Sequence, residues 1–434
     1  MNKLLFILFL TIPYIGVGQG WEKTYNLSEY DRGNSIQQTN DGGYILTGFI
    51  SIMEQDIVLV KLNYLGDTLW TNSLIESHDQ VGRSVKQTND SGYIICGTRE
   101  DNQGNGNIWL IKTDSIGNMI WNVTFGDTSN YSEGFSVEQT LDGGYIITGG
   151  TNVDQFPGNS DVQLIKTNGN GVEQWNQTYG GIGEDIGYSV QQTNDGGYII
   201  TGVIDGFGSN QGEVYLVKTD STGVELWNNS FGGTSVDIGY SVQQTLDGGY
   251  IITGYTWGGS NGQSDIYTIK TDNNGVEVWS NHYGGTDQDY SKSVQQTTDG
   301  GYIICGETSS FGTTSDVDVY LIKLNNLGVE QWNQRFGIGD YDEGNYVQQT
   351  SDGGYIITGR TRNSNLPPIS WDIYVIKTDG NGNITSTFNI PISSNRKLKK
   401  VVDILGKETK PQTNTPFIEI YDDGSTEKKL IIEK

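Results

Sequence analysis

The chain has 434 residues, 61 of them Gly and only 7 Pro, and it lacks a strict three-residue glycine period, so a collagen-like fibre is excluded. Aromatic residues reach 11%, more than disordered chains carry, which points to a folded protein. A formal net charge of −26 argues against nucleic acid and anionic membrane surfaces as partners, because phosphate binding needs clustered Lys and Arg. Two cysteines make no disulfide scaffold, and His78 and His282 alone leave little for histidine-based metal or nucleophile chemistry.

Residues 1–18 carry Lys3, an apolar stretch from Leu4 to Ile15, and Gly16-Val17-Gly18. A positive start, an apolar run short for a membrane span and a small-x-small triplet are the marks of a cleavable signal peptide. The expectation is an exported chain starting at Gln19 or Gly20, with no transmembrane segment once mature. A retained anchor is the alternative.

One phrase then recurs seven times. It first reads Gln37-Gln38-Thr39-Asn40-Asp41-Gly42-Gly43-Tyr44 and returns around Tyr93, Tyr145, Tyr198, Tyr250, Tyr302 and Tyr355, at spacings of 49, 52, 53, 52, 52 and 53 residues. In the fourth copy, Tyr188 to Thr193 reads as a strand and Asn194-Asp195-Gly196-Gly197 as a tight turn that takes positive φ cheaply. Tyr198 to Thr201 follows as a second strand, and after a loop Val214 to Lys218 as a third. The third is apolar on both faces and hence covered on both. Asp220-Ser221-Thr222-Gly223 turns the chain into a fourth strand carrying Trp227. No segment keeps a 3.6-residue period over helical length. Seven units of four short strands predict an all-β chain, a seven-bladed β-propeller over residues 19–389. A β-solenoid, the rival, has shorter coils.

Gly-x-x-x-Trp recurs from Gly66/Trp70 to Gly328/Trp332, but Gly382 is followed by Ser386. An unpartnered segment, Trp21-Glu22-Lys23-Thr24-Tyr25, precedes the first repeat. Outer and third strands match in number only if Trp21 completes the blade holding Tyr355 and Tyr374, which closes the ring and removes open edges. Asp114 to Gly117 with Trp121 resembles the tryptophan-docking motif of quinoprotein dehydrogenase propellers, which implies an indole packed between neighbouring blades. The turn length differs, and neither a cysteine pair nor a metal-ligand cluster accompanies it, so the resemblance extends to architecture and implies no cofactor. Cys96 and Cys305 replace the Thr of other repeats, four repeats apart, and are expected to be free, buried thiols.

From Arg396 onward nine Lys/Arg face seven Asp/Glu, against sixteen and forty-five in Gln19 to Asn395. That shift marks a boundary, set at 390–434 with a short linker. Asp403-Ile404-Leu405-Gly406-Lys407-Glu408 and the basic-apolar end Lys428 to Lys434 resemble the type A C-terminal sorting domain of the type IX secretion system. The resemblance implies a small β domain read through Asp403, Leu405, Gly406 and Glu408, with the secretion machinery as partner and a secreted or cell-surface address. A β appendage docked on the propeller is the alternative.

A residue present in every repeat is most simply scaffold, since one site does not need seven copies. Function is therefore expected in the variable connections between second and third strands, which carry Phe156, Phe207, Trp257, Phe311 and, in the last repeat, Arg360, Arg362 and Trp371. Aromatics among Asn, Asp and Gly suit stacking on a sugar face. The connection before each first strand adds Asp185, Asp237 and Asp289. These carboxylates either close turns by accepting backbone N–H groups or ring a channel mouth that attracts Ca²⁺ or a cationic ligand. A binding module for glycan or protein ligands is the leading reading, a ligand-free structural surface protein the second. A glycoside-active enzyme is third, since no carboxylate pair sits in a distinctive local motif.

Overall fold

The computed structural model describes residues 20–51, 54–74, 78–126, 131–152, 160–206, 212–258, 263–311, 316–362, 370–384, 398–403, 408–410, 417–421 and 426–429. It divides into two units, Met1–Thr385 and Ser386–Lys434. Among the described residues there is no helix, and hence none able to cross a membrane. The strands of the first unit form five four-stranded sheets and one eight-stranded sheet, in a β-propeller-like repeat. The eight-stranded sheet is two four-stranded groups, from the first and last repeats, joined through one parallel pair, Tyr30 with Trp371. Residues 1–18, expected to be a signal peptide, lie outside the described residues.

The turn chemistry explains the recurring phrase. In the fourth repeat, Asp195 Oδ1 accepts bonds from Thr193 Oγ1 (2.5 Å) and Gly197 N (3.0 Å), while Gly196 takes φ 84°. The buried Lys218 Nζ at the end of the third strand lies 2.9 Å from Asp195 Oδ2 and donates to the Thr219 carbonyl at 2.8 Å. The same Lys–Asp staple recurs in all seven repeats. A buried ammonium needs such partners, which is why the strand ends in Lys rather than in another apolar residue.

Third strands are apolar on both faces because each face feeds a different core. Ile199, Val214, Leu216 and Phe231 pack with Val242, Tyr250, Ile252 and Ile269 of the next repeat. The opposite face, with Ile200 and Val217, packs on Ile146, Val162 and Leu164 of the previous one. The last and first repeats share a core in the same way, Ile356, Ile373 and Val375 meeting Leu46, Val58 and Val60, with Trp21 and Tyr25 against it.

Trp21–Tyr25 pairs antiparallel with the third strand of the last repeat, Trp21 opposite Lys377, as Trp227 stands opposite Lys218. Each outer-strand indole rests on the turn glycine of the next repeat: Trp175 on Gly223, Trp332 on Gly382 and Trp21 on Gly66. A Cβ on Gly223 would lie 2.7 Å from the Trp175 ring, so the glycine serves both its φ of 82° and the docking. Interblade packing is thus the role of the tryptophans. Cys96 and Cys305 are both buried and free, and burial raises both thiols above their ordinary pKa.

The paired glutamines of the phrase tie the inner strands together. The second one in each repeat accepts the turn N–H of the preceding repeat, from Asn40 N onto Gln87 (2.9 Å) to Thr298 N onto Gln349 (2.8 Å). Ser351 N of the last repeat then donates to Gln38 of the first at 2.8 Å.

The second unit has one described three-stranded antiparallel sheet, Leu398–Asp403, Phe417–Tyr421 and Thr426–Lys429. Asp403 ends its first strand and Glu408 bridges back to Val402. Leu405 and Gly406 lie outside the described residues.

Candidate functional site

Second strands run further than the sequence suggests. The second strand of the fourth repeat is Tyr198–Gly206 and that of the last is Tyr355–Arg362, so Arg360 and Arg362 belong to a strand rather than to a connection. The cause is a bulge in each inner strand, between Gly187 and Ser189 in the fourth repeat, beyond which pairing resumes. Phe156 and Phe207 lie outside the described residues. Trp257 ends its strand and is 58% exposed. Phe311, 41% exposed, folds back on its own repeat, its ring 5.5 Å from Tyr320 and beneath the Arg335 guanidinium.

Asp185, Asp237 and Asp289 are buried. Their Oδ2 atoms accept from Gly181 N, Gly233 N and Gly285 N at 2.6, 2.9 and 2.8 Å, the geometry of turn closure. Burial raises the pKa of all three. Among the described residues there is no group of three or more His, Cys, Asp or Glu able to hold a metal ion. In the last repeat the equivalent Asp342 accepts from Ile338 N and Gly339 N, and burial, with Asp318 nearby, pushes its carboxyl up to about 6. A folded-state pKa above the unfolded one stabilises at low pH, and that stability is lost as pH rises through 6. Asp342→Asn keeps an acceptor for both amides, so its melting temperature relative to the native chain is expected to climb between pH 4.5 and 7. The gain is on the order of 2 kcal/mol. Parallel melting curves at both ends of that range check it.

The inner strands of all seven repeats line one cavity of about 290 Å³, which opens into a mouth of about 340 Å³. Along these strands the repeats are nearly identical except beside the bulge glycine. There the residue after it is Asn34, Arg83, Phe135, Tyr188, Tyr240, Lys292 and Asn345 in turn, with Ser291 replacing the glycine before Lys292. The residue before it is Arg32, Val81, Glu133, Ile186, Ile238, Tyr290 and Glu343. The position after the second-strand glycine varies too, from Val203 and Tyr255 to Glu307 and Arg360.

These positions sort into two arcs. In the third to fifth repeats Phe135, Tyr188 and Tyr240 follow one another with ring centroids 4.9 Å apart at each step. Tyr255 and Tyr290 extend the chain of rings at 6.0 and 4.9 Å, over a floor of Ile186, Val203 and Ile238. On the other side Arg32 Nη2 lies 2.8 Å from Glu343, Arg360 Nε 3.1 Å and Lys292 Nζ 3.9 Å. Arg83 sits 3.4 Å from Glu133 and over the Phe135 ring at 5.1 Å, where the arcs meet.

Burial pushes the Glu307 carboxyl up, and Glu343 beside it adds to the shift. Burial alone would raise Glu343 also, but Lys292, Arg32 and Arg360 hold it well below the ordinary carboxylate range. The two carboxyls lie within hydrogen-bonding reach of each other, and that contact also favours the neutral form of Glu307. That contact is closer than either glycosidase spacing allows, so the pair is a charge cluster rather than a hydrolytic couple. Four basic groups, Arg32, Arg83, Lys292 and Arg360, face three acidic ones, Glu133, Glu307 and Glu343, across this arc.

Deeper in the cavity the first Gln of the pair is replaced by Lys86 and Glu138 and the Ser by Tyr346, and Lys86 Nζ donates to Tyr346 Oη at 3.0 Å. The inner-strand positions were not singled out from the sequence. Their signal was present, since each is a variable residue inside a conserved phrase, but it is spread over seven places about fifty residues apart.

No family model matches the chain, and no curated protein matches it. Among solved structures it is similar to Sqt1 from Chaetomium thermophilum, with a TM-score of 0.43 and 10% identity over 95% of this chain and 100% of that one. A protein of unknown function from Dyadobacter fermentans aligns with a TM-score of 0.47 and 11% identity over 82% and 97% of the chains. The β-propeller domain of the Trilobed protease from Pyrococcus furiosus gives 0.43 and 9% over 84% and 98%. These likenesses concern the fold alone.

Proposed function

We propose that the protein is an exported binding module, a closed seven-bladed propeller that takes a glycan in the mouth of its central channel. The observation that carries this reading is the mouth itself. Strands that otherwise agree closely from repeat to repeat differ where the inner ones face one cavity, and the differences form an aromatic arc opposite a cationic one. Scaffold demands would favour the same residue seven times; a single asymmetric ligand demands a different set on each side of the ring. Aromatic faces beside amides and charges suit a sugar ring, and the volume falls near the low end for small-ligand sites. Trp257 leaves its strand at the same end as the mouth, since Thr256 before it pairs with Asp237, three residues ahead of Tyr240.

A glycan array probed with the purified protein tests the reading. Tyr188→Ala is expected to weaken the glycans retained at least tenfold while leaving the melting temperature within a few degrees, as for a central aromatic anchor. Retention unaffected by Tyr188→Ala and by Trp257→Ala would place the ligand elsewhere. No retained glycan at all would favour a protein ligand or a structural surface role.

The address is part of the proposal. Residues 1–18 direct export and residues 390–434 are a sorting domain read by the type IX machinery, leaving the propeller secreted or on the cell surface. Removing Arg396 to Lys434 is expected to hold folded propeller in the periplasm, and cell fractionation reads the outcome. Normal levels of the truncated chain outside the cell would refute the sorting role.

A further inference from the structure

We infer that the mouth selects an acidic sugar, a hexuronate residue at the end of a glycan chain, with its ring on the aromatic arc and its carboxylate toward Arg83 and Lys292. The inference rests on the proposed glycan reading and adds charge and position to it.

Three observations carry it. First, the arc of Phe135, Tyr188 and Tyr240 is flanked in sequence order by a cation on each side, Arg83 before it and Lys292 after it, both partly exposed to the cavity. A ring lying on the arc therefore has a positive group at either edge. Their carboxylate partners are not tight: Arg83 Nη2 stands 3.4 Å from Glu133 and Lys292 Nζ 3.9 Å from Glu343. A ligand carboxylate can supply the bidentate contact that Glu133 does not.

Second, the Tyr188 and Tyr240 hydroxyls make no hydrogen bond among the described residues, although both side chains border the cavity. Phenol groups left open at an apolar wall want polar partners on the ligand. A pyranose offers ring hydroxyls to them and a C–H face to the rings below. An acidic peptide side chain would satisfy the cations but leave the phenols unpaired.

Third, strands from all seven repeats wall the cavity. A terminal residue can descend into it, whereas a residue within a chain would have to bring both neighbours through the same opening. The overall charge of −26 also opposes long polyanions, so one carboxylate at the tip fits better than a densely charged strand.

The test titrates the full chain by calorimetry with oligomers of galacturonate, glucuronate and mannuronate, and with their fully methyl-esterified forms. At least one acid is expected to bind tenfold or more tighter than its ester, with the gap narrowing as salt is raised. Arg83→Met and Lys292→Met, singly and together, are expected to bring the acid down to the ester. Tyr188→Phe, which keeps the ring and loses the hydroxyl, weakens acid and ester alike. If esters or neutral glycans from the array bind as tightly as acids, and Tyr188→Ala still removes that binding, the acidic inference is wrong while the glycan reading stands. If no uronide binds but a neutral glycan does, the inference is overturned equally. If neither class binds, both readings fall.

Discussion

Trp21→Ala is expected to lower the melting temperature by several degrees and to expose the N-terminal strand to proteolysis. The indole packs on Tyr44 at a centroid distance of 6.1 Å, rests on Gly66 and donates from Nε1 to the Tyr64 carbonyl at 3.3 Å. Removing a buried Trp costs about 3–5 kcal/mol, and Trp21 is half-buried, so about 2 kcal/mol is the expected loss. The consequence is larger than that figure suggests because Trp21–Tyr25 is a short strand whose five residues pair with a repeat far away in sequence. Trp175→Ala is the matched control. Its strand pairs with the third strand of its own repeat, to which a tight turn joins it, so it should lose stability without local opening. If Trp21→Ala melted like the native chain while Trp175→Ala did not, the N-terminal strand would not be holding the first and last repeats together.

Gly202→Ala is expected to cost about 3 kcal/mol, at the upper end of what overpacking usually does, and to show as a lower midpoint in urea. A Cβ on Gly202 would overlap the carbonyl oxygen of Ile186, which the inner-strand bulge brings over it. All seven repeats carry glycine at this second-strand position, and in each the overlap is with the carbonyl of the facing inner strand. Backbone cannot step aside as a flexible side chain can. The bulge glycine itself is less strict, and the sixth repeat shows why. Ser291 stands there with its hydroxyl donating to the Gly254 carbonyl at 2.7 Å and bonded to Thr253 at 2.6 Å, so the extra atoms are used rather than merely fitted. A midpoint unchanged by Gly202→Ala would mean that the bulge relaxes at no cost.

The sequence by itself determined the parts that repeat. Seven copies of a strand, a tight turn (Asp-Gly-Gly in six, Asp90-Ser91-Gly92 in the second), a second strand, a two-faced third strand and a Trp strand follow from local rules, because turn geometry and strand propensity act over a few residues. The pairing of Trp21 with the last repeat was also legible, since one missing Trp strand and one spare one can be counted. Turn closure by Asp185, Asp237 and Asp289 was one of two readings open to the sequence; their burial and their bonds to Gly181, Gly233 and Gly285 belong to the structure. Only the tertiary structure decided where the repeats differ to a purpose. Asn34, Arg83, Phe135, Tyr188, Tyr240, Lys292 and Asn345 are each an unremarkable variation in its own repeat. They become one rim because the inner strands stand side by side around a cavity, so residues about fifty apart in sequence meet as neighbours. Local patterning cannot report that adjacency. It is created by packing between repeats, in which each third strand buries its two faces in two different cores.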